Sequence, residues 1–387
     1  MQTIKNVRLI LPDRIVNEGW ISFENGKLQE IGNGIATAPS SQMIDGGGMY
    51  LAPGFIDLHV HGGHGEDFLT ATPEGFITAT EFHLFGGTTA LCPTAATATY
   101  KKFQMVLDHC ERAKESARIR IMGVHLEGPH LSKAKAGALD AEAMCPPTPM
   151  DIDWVIARAS QISQITVAPE LLLVPELIRE CNRAGIVTSA GHTESGEPEM
   201  EAAMGAGLRK VTHLFNAMAS ASKKGLFREA GTLEFALSEP MIVCELISDR
   251  FHVVPKLLKL AYQAKGADRI ALVSDALSGA GLPVGFRFRL GQLQCRVGNG
   301  FCLLEDNSAL ASSLCRMIDL VRVRVQEVDV PLVDAVRMAS LTPAGVLNKA
   351  DSLGSLEIGK LADMVLFDSD FTVHKIWVGG MEPLLES

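Results

Sequence analysis

Two hydrophobic periodicities alternate along the middle of the chain. Short apolar runs of strand length occur at Gly54–His61, Thr88–Pro93, Ile119–Glu127, Ile165–Ala168, Ile186–Gly191, Lys210–Leu214, Met241–Leu246 and Ile270–Ser274. Between most of them lie segments whose apolar residues recur at helical spacing: Glu74–Phe85, Tyr100–Ala117, Val174–Ala184, Glu197–Gly205 and Val253–Lys265. Eight strands alternating with helices predict a parallel (β/α)₈ arrangement. A doubly wound sheet is the alternative, but no Gly-x-Gly-x-x-Gly opens a helix after the first strand. The flanks read differently. Trp20–Phe23 and Lys27–Ile31 bracket Asn25-Gly26, a type I′ hairpin signal, and Ala362–Phe367 and His374–Val378 are short and β-rich. Phe286–Leu304 reads as a β insertion with Asn299-Gly300 at its turn, followed by helices over Leu310–Val325 and Leu332–Ala339. The expected fold is therefore α/β: a (β/α)₈ TIM barrel over residues 53–351, with a small β-sandwich domain built from residues 1–52 and 352–387.

Composition narrows the function. The 387 residues, 47% hydrophobic and 21% charged, exclude a disordered chain, a collagen and a coiled coil. A net charge of −10, with no strongly basic stretch, argues against nucleic acid or a membrane surface as partner. An anionic small substrate would then need a local cationic pocket. The eight Cys lack Cys-x-x-Cys spacing, which suits free thiols in a reducing compartment. The first apolar run is too short and interrupted for a signal peptide, and no apolar window approaches about 18 residues. A cytoplasmic location is expected.

The candidate chemistry sits at strand ends. Side chains alternate along a strand, so Asp57, His59 and His61 share one face. His-x-His alone is a weak signal, because polar residues are common at strand ends. The third strand, however, ends in His125-Leu126-Glu127, the fifth in Gly191-His192, the sixth in Thr212-His213 and the eighth in Ser274-Asp275. In a (β/α)₈ barrel these C-terminal ends converge. Four histidines, a glutamate and an aspartate would meet there, a donor set suited to zinc or ferrous iron. A bound metal needs a carboxylate to take the proton of its water, and Asp275, opposite the other groups, is the candidate base; it is also a candidate ligand.

These residues, in this order, resemble the amidohydrolase superfamily. Pro53-Gly54-Phe55-Ile56-Asp57-Leu58-His59-Val60-His61 is similar to its opening signature, and Gly354–Asp363 to its return to the β domain. His125-Leu126-Glu127-Gly128-Pro129, Gly191-His192-Thr193 and Thr212–Met218 resemble the N-acetylglucosamine-6-phosphate deacetylase family. The resemblance implies removal of acetate from an amino-sugar phosphate by metal-activated water. Asp275 would be the catalytic acid/base, with one or two divalent ions, Zn²⁺ or Fe²⁺, per subunit. Glu127, His192 and His213 fall on the family's metal ligands, and His59 and His61 would add a second ion. Asn216 and Ala217 fall on sugar-contacting backbone. Arg228, in Arg228-Glu229-Ala230-Gly231, falls on the phosphate-binding arginine, with Ala in place of Pro. His252 is expected to contact substrate across the interface of a homodimer. Two departures bear on specificity. Leu139, after Ala138, stands where the family has a sugar-contacting His, and Leu310-Ala311-Ser312 replaces a Leu-Ser-Gly substrate loop.

The sugar is thus less fixed than the reaction. N-acetylgalactosamine 6-phosphate or another amide, such as a cyclic amide, is an alternative substrate, and a non-catalytic scaffold a third reading. A scaffold of this kind usually lacks ligands, and none is missing. His64, His83, His109 and His374 have no strand-end placement and read as structural or exposed, while His130 carries no assignment.

Overall fold

The computed structural model describes residues 1–36, 41–290, 293–307 and 309–383. Eight parallel strands form its centre: Phe55–Val60, Thr88–Ala95, Val124–Glu127, Ile162–Val167, Val187–Ala190, Lys210–Val211, Val243–Leu246 and Ile270–Leu272. They pair in chain order, the first with the second and so on to the eighth. The last seam is nearly closed by backbone bonds: Asp275 donates to the His59 carbonyl at 2.8 Å and His61 to the Ala276 carbonyl at 2.9 Å. The seam that completes the barrel thus lies beside the candidate chemistry.

Helices follow the strands and bury apolar faces against them. Pro73–Leu84 begins with Thr72 capping the Gly75 N–H and with proline at its first position, where no N–H is needed. Phe76, Phe103, Leu177 and Leu258, from four such helices, are fully buried in the main core. Three helices escape the hydrophobic periodicity, Pro149–Ile156, Thr232–Ser238 and Leu341–Val346. At eight, seven and six residues they are too short to show a clear helical repeat. The helix expected from Leu310 instead starts at Met317 and runs to Gln326. Residues 310–316 form an extended segment that bonds the residues just past the eighth strand, as in Leu277 N–H to Ser313 O at 3.1 Å.

Both chain ends enter one seven-stranded sheet. Tyr50–Pro53 pairs antiparallel with Met364–Phe367, and Gln2–Ile10 pairs with Ile15–Glu24. Asn25 and Gly26 turn the next hairpin with φ of 50° and 76°, as a type I′ turn requires. Ile4, Leu9, Ile21, Leu366 and Trp377 form that sheet's own core. The three-stranded unit Arg287–Leu290, Leu293–Val297 and Cys302–Leu304 is separate and leans over the mouth of the barrel. No helix among the described residues is long and apolar enough to cross a membrane.

Candidate metal centre and active site

The strand ends converge. His59, His61 and Asp275 form one group of potential ligands, and Glu127, His192 and His213 another; within each, the ligand atoms lie within 4.8 Å of one another. In the first group His59 Nε2 is 3.1 Å from His61 Nε2, and Asp275 Oδ1 is 3.2 Å from His61 Nε2 and 3.5 Å from His59 Nε2. In the second, Glu127 Oε1 is 3.2 Å from Nε2 of both His192 and His213, which are 3.0 Å apart. Glu127 joins the groups: its Oε2 is 3.2 Å from His61 Nε2 and its Oε1 3.6 Å from His59 Nε2. All six residues are buried.

Hydrogen bonds behind the rings decide which nitrogens face inward. His192 Nδ1 donates to the Lys135 carbonyl at 2.7 Å, and His59 Nδ1 to Glu245 Oε2 at 3.2 Å. Their Nε2 lone pairs therefore point into the cluster. Lone pairs of neighbouring imidazoles about 3 Å apart repel unless positive charge lies between them. The carboxylates pull the same way. Burial works against a charged His61, yet its bonds to Asp275 and Glu127 push its pKa up to about 9. Burial likewise opposes a charged His59, which Asp275 and Glu127 hold well above the usual imidazole value. Imidazole nitrogens and carboxylate oxygens around a site that draws positive charge are a fit for divalent cations.

The backbone is bent to make this possible. His192, His213 and Asp275 have φ of 47°, 31° and 47°, in the left-handed region that side-chain-bearing residues seldom occupy. Each sits where its strand ends, so the twist turns the side chain from the strand line toward the barrel axis. Below them lies a layer of hydroxyls and one imidazole. His125 bonds Thr94 Oγ1 at 3.2 Å and Thr166 Oγ1 at 2.8 Å, and Thr166 bonds Thr212 at 2.9 Å. Burial, with the neighbouring His59, holds His125 well below the usual value, so it stays neutral. Asp57, on the same strand as His59, accepts from the His59 and Ser274 amides, and burial pushes its carboxyl up to about 7.

Above the centre opens a pocket of about 310 Å³. His61, Glu127, His192, His213 and Asp275 form its floor, while His59 is fully covered. Ala138, Leu139, Asn216, Ala217, Leu310, Ala311 and Ser312 all reach its wall, as does His252. The Ser312 hydroxyl donates to the Asp275 carbonyl, so it braces the segment that carries Asp275. His252 lines the pocket of its own chain. Its Nδ1 is 2.6 Å from Asp249 Oδ2, and Asp249 Oδ1 accepts the Phe251 and His252 amides at 2.9 Å. Burial disfavours the imidazolium, but Asp249 raises the His252 pKa.

Arg228 is elsewhere. It lies on an exposed hairpin, Ser222–Lys224 with Phe227–Glu229, outside the lining of this pocket. No Lys or Arg lines the pocket among the described residues. His130 is structural, held between Tyr100 Oη at 2.8 Å and the Cys145 carbonyl at 2.9 Å. The sequence reading missed Leu290 and Leu304 of the three-stranded unit, which also line the pocket. It also missed Lys210 and Glu245, a fully buried ion pair behind His59. Their signal was available: charged residues inside apolar strand runs, as in Val243-Cys244-Glu245-Leu246-Ile247. A larger recess, about 690 Å³, opens among Ile186, Arg209 and Met241 at the opposite end of the strands and holds none of the six ligand candidates.

A metal-ready centre at the C-terminal mouth of a (β/α)₈ barrel matches what comparison shows. A model of the Amidohydrolase family matches residues 50–382, and the chain belongs to that family. The relatives make the kinship narrower. The chain is 32% identical to an N-acetylglucosamine-6-phosphate deacetylase of Vibrio furnissii, over 85% of this chain and 82% of that one. It is 33% identical to an N-acetylgalactosamine-6-phosphate deacetylase of Shewanella sp. (strain ANA-3), over 85% and 82%. The crystal structure of the Pasteurella multocida N-acetylglucosamine-6-phosphate deacetylase superposes with a TM-score of 0.92 at 27% identity, over 98% of this chain and 99% of that chain.

Proposed function

We propose that the chain hydrolyses the acetamide of N-acetylglucosamine 6-phosphate, with acetate and the amino-sugar phosphate as products. The observation that carries this reading is the six-residue centre at the floor of a single pocket, in a chain similar along its length to deacetylases of such phosphates. Glu127, His192 and His213 would hold one divalent ion, and His59, His61 and Asp275 a second, with Glu127 within reach of both. Zinc or ferrous iron bound there supplies Lewis-acid charge for the amide carbonyl and lowers the pKa of water toward neutrality.

The chain's own part is proton transfer and orientation. Asp275 faces the pocket, where its carboxylate accepts the proton of the attacking water. It then returns that proton to the departing nitrogen, because an amine anion is too basic to leave unprotonated. Asn216 Nδ2 is tied to the His213 and Leu214 carbonyls at 3.3 Å, which fixes the wall the sugar meets. His252, held by Asp249, whose carboxylate raises the imidazole pKa, would face the phosphate.

On this reading Arg228, outside its own pocket, would serve a neighbouring chain. Beside it Leu226 and Phe227 are 86% and 74% exposed, an apolar hairpin tip that a homodimer contact would cover. Arginine suits a phosphate because its planar fork donates two hydrogen bonds at once. A second substrate, N-acetylgalactosamine 6-phosphate, is favoured by one observation: Leu139 offers no hydrogen bond to the sugar, so epimers are separated less sharply. The test is acetate release from the 6-phosphates of N-acetylglucosamine, N-acetylgalactosamine and N-acetylmannosamine, and from unphosphorylated N-acetylglucosamine, each with zinc and with ferrous iron. Faster release from the glucosamine phosphate supports the first reading. Equal rates for the unphosphorylated sugar overturn the phosphate site.

A further inference from the structure

We infer that the buried Lys210–Glu245 pair is a positioning device for His59, and that it sets the affinity of the ion held by His59, His61 and Asp275. The inference rests on the reading that the centre binds two ions. Four histidines face the cluster, and their outer nitrogens are treated unequally. His192 Nδ1 meets a backbone carbonyl, whereas Nδ1 of His61 and of His213 is buried with no hydrogen-bond partner among the described residues. Only His59 Nδ1 meets a carboxylate, Glu245 Oε2, at 3.2 Å.

The grip on His59 is double. Lys210 Nζ donates to Glu245 Oε1 and also to Gln164 Oε1, and Gln164 Nε2 donates to the carbonyl of Leu58, the residue before His59. One ammonium group therefore fixes the His59 ring through Glu245 and its backbone through Gln164. Lys210 and Glu245 come from the sixth and seventh strands, while His59 is on the first, so the network spans the barrel interior. Both members of the pair are fully buried, with side chains 1% and 0% exposed.

Stability does not explain such a pair, since well-packed apolar residues in its place are often as stable or more so. Its chemistry does. A carboxylate accepting from Nδ1–H fixes the tautomer, aims Nε2 and makes it a stronger donor. The lysine balances the carboxylate, so this strengthening adds no net charge behind the centre. The second group, with Glu127 at its heart, has no such support, and the ion it holds should be indifferent to the pair.

The test counts metal ions in the full-length protein at graded free zinc, by elemental analysis after equilibrium dialysis. Two variants are used. Glu245→Gln keeps the shape and removes the charge. The double variant Lys210→Met/Glu245→Leu removes both charges together, so no buried charge is left unpaired and the barrel keeps a filled interior. The expected result is two ions in the unaltered protein, with the ion of His59, His61 and Asp275 binding about tenfold to a hundredfold more weakly in both variants and the ion of Glu127, His192 and His213 unchanged. Unchanged affinity for both ions, or equal weakening of both, overturns the inference while leaving the two-ion centre standing. A single ion in the unaltered protein at saturating zinc overturns the two-ion reading and the inference with it.

Discussion

The floor and the wall of the pocket are built on opposite plans. The floor is polar, buried and made of strand ends, its five ligand candidates, and His59 beneath them, each fixed by a strand, a backbone twist or a hydrogen bond from behind. The wall is largely apolar, with Ala138, Leu139, Leu290, Leu304, Leu310 and Ala311 supplied by loops and by the three-stranded unit. A floor can be rigid because barrel pairing fixes its atoms before substrate arrives. A wall of loops can change residue by residue without disturbing the barrel. The two departures noted in the sequence, at Leu139 and at Leu310–Ser312, both fall on the wall. Reaction chemistry and substrate choice are thus carried by separate parts of one site.

That division can be broken from the floor first. Glu127→Ala removes the one side chain within reach of all four histidines. Metal content should fall in elemental analysis, and kcat/KM by at least about a thousandfold, since metal-supplied charge stabilisation is worth several kcal/mol. Retention of full activity without metal would remove the centre from the reaction. Asp275→Asn is next: kcat should fall by at least about a hundredfold while substrate still binds, measured by steady-state kinetics and by calorimetry with intact substrate. Near-normal turnover would take the proton-transfer role from Asp275.

Changes on the wall and beyond it should act on choice rather than on chemistry. Arg228→Ala should lower kcat/KM for the phosphorylated sugar by about ten- to a hundredfold, as expected for loss of a charge-assisted hydrogen bond, and leave the unphosphorylated sugar unaffected. Equal loss for both sugars would show that the hairpin shapes the fold rather than reading the phosphate. Leu139→His should sharpen the preference among epimers by about tenfold, with kcat for the best substrate within a few-fold of its starting value. An unchanged ratio would place discrimination elsewhere on the wall.

The smallest effect concerns the support behind the floor and appears in stability alone. His83 is fully buried, its Nε2 bonded to the Gly62 carbonyl at 2.8 Å next to His61, and burial pushes its pKa down to about 4. The unfolded chain, with an imidazole near 6.5, takes up this proton first. The contribution is therefore present above pH 6.5 and is lost as pH falls toward 4, with a slope of up to about 1.4 kcal/mol per pH unit. His83→Gln should flatten the fall in Tm across that window; an unchanged profile would assign the acid sensitivity to other groups.

The sequence by itself determined the order of elements and the identity of the floor. Strand-length apolar runs separated by helical repeats encode local geometry, and a polar residue ending such a run is visible because it interrupts the pattern, as His192, His213 and Asp275 do. Short helices such as Thr232–Ser238 escaped because seven residues carry too little periodicity, and the segment after Leu310 read as helix because its apolar spacing fits a helix, whereas its backbone bonds the residues that follow the eighth strand. Only the tertiary structure decided how the groups are shared: that Glu127 lies between both triads, that His252 lines its own pocket while Arg228 lies outside it, and that Lys210 stands behind Glu245 and His59. These are contacts between residues far apart in the chain, set by the register with which eight strands close on one another. No local pattern carries that register, because each strand's alternation fixes which side its residues face and leaves open which residue of another strand they meet.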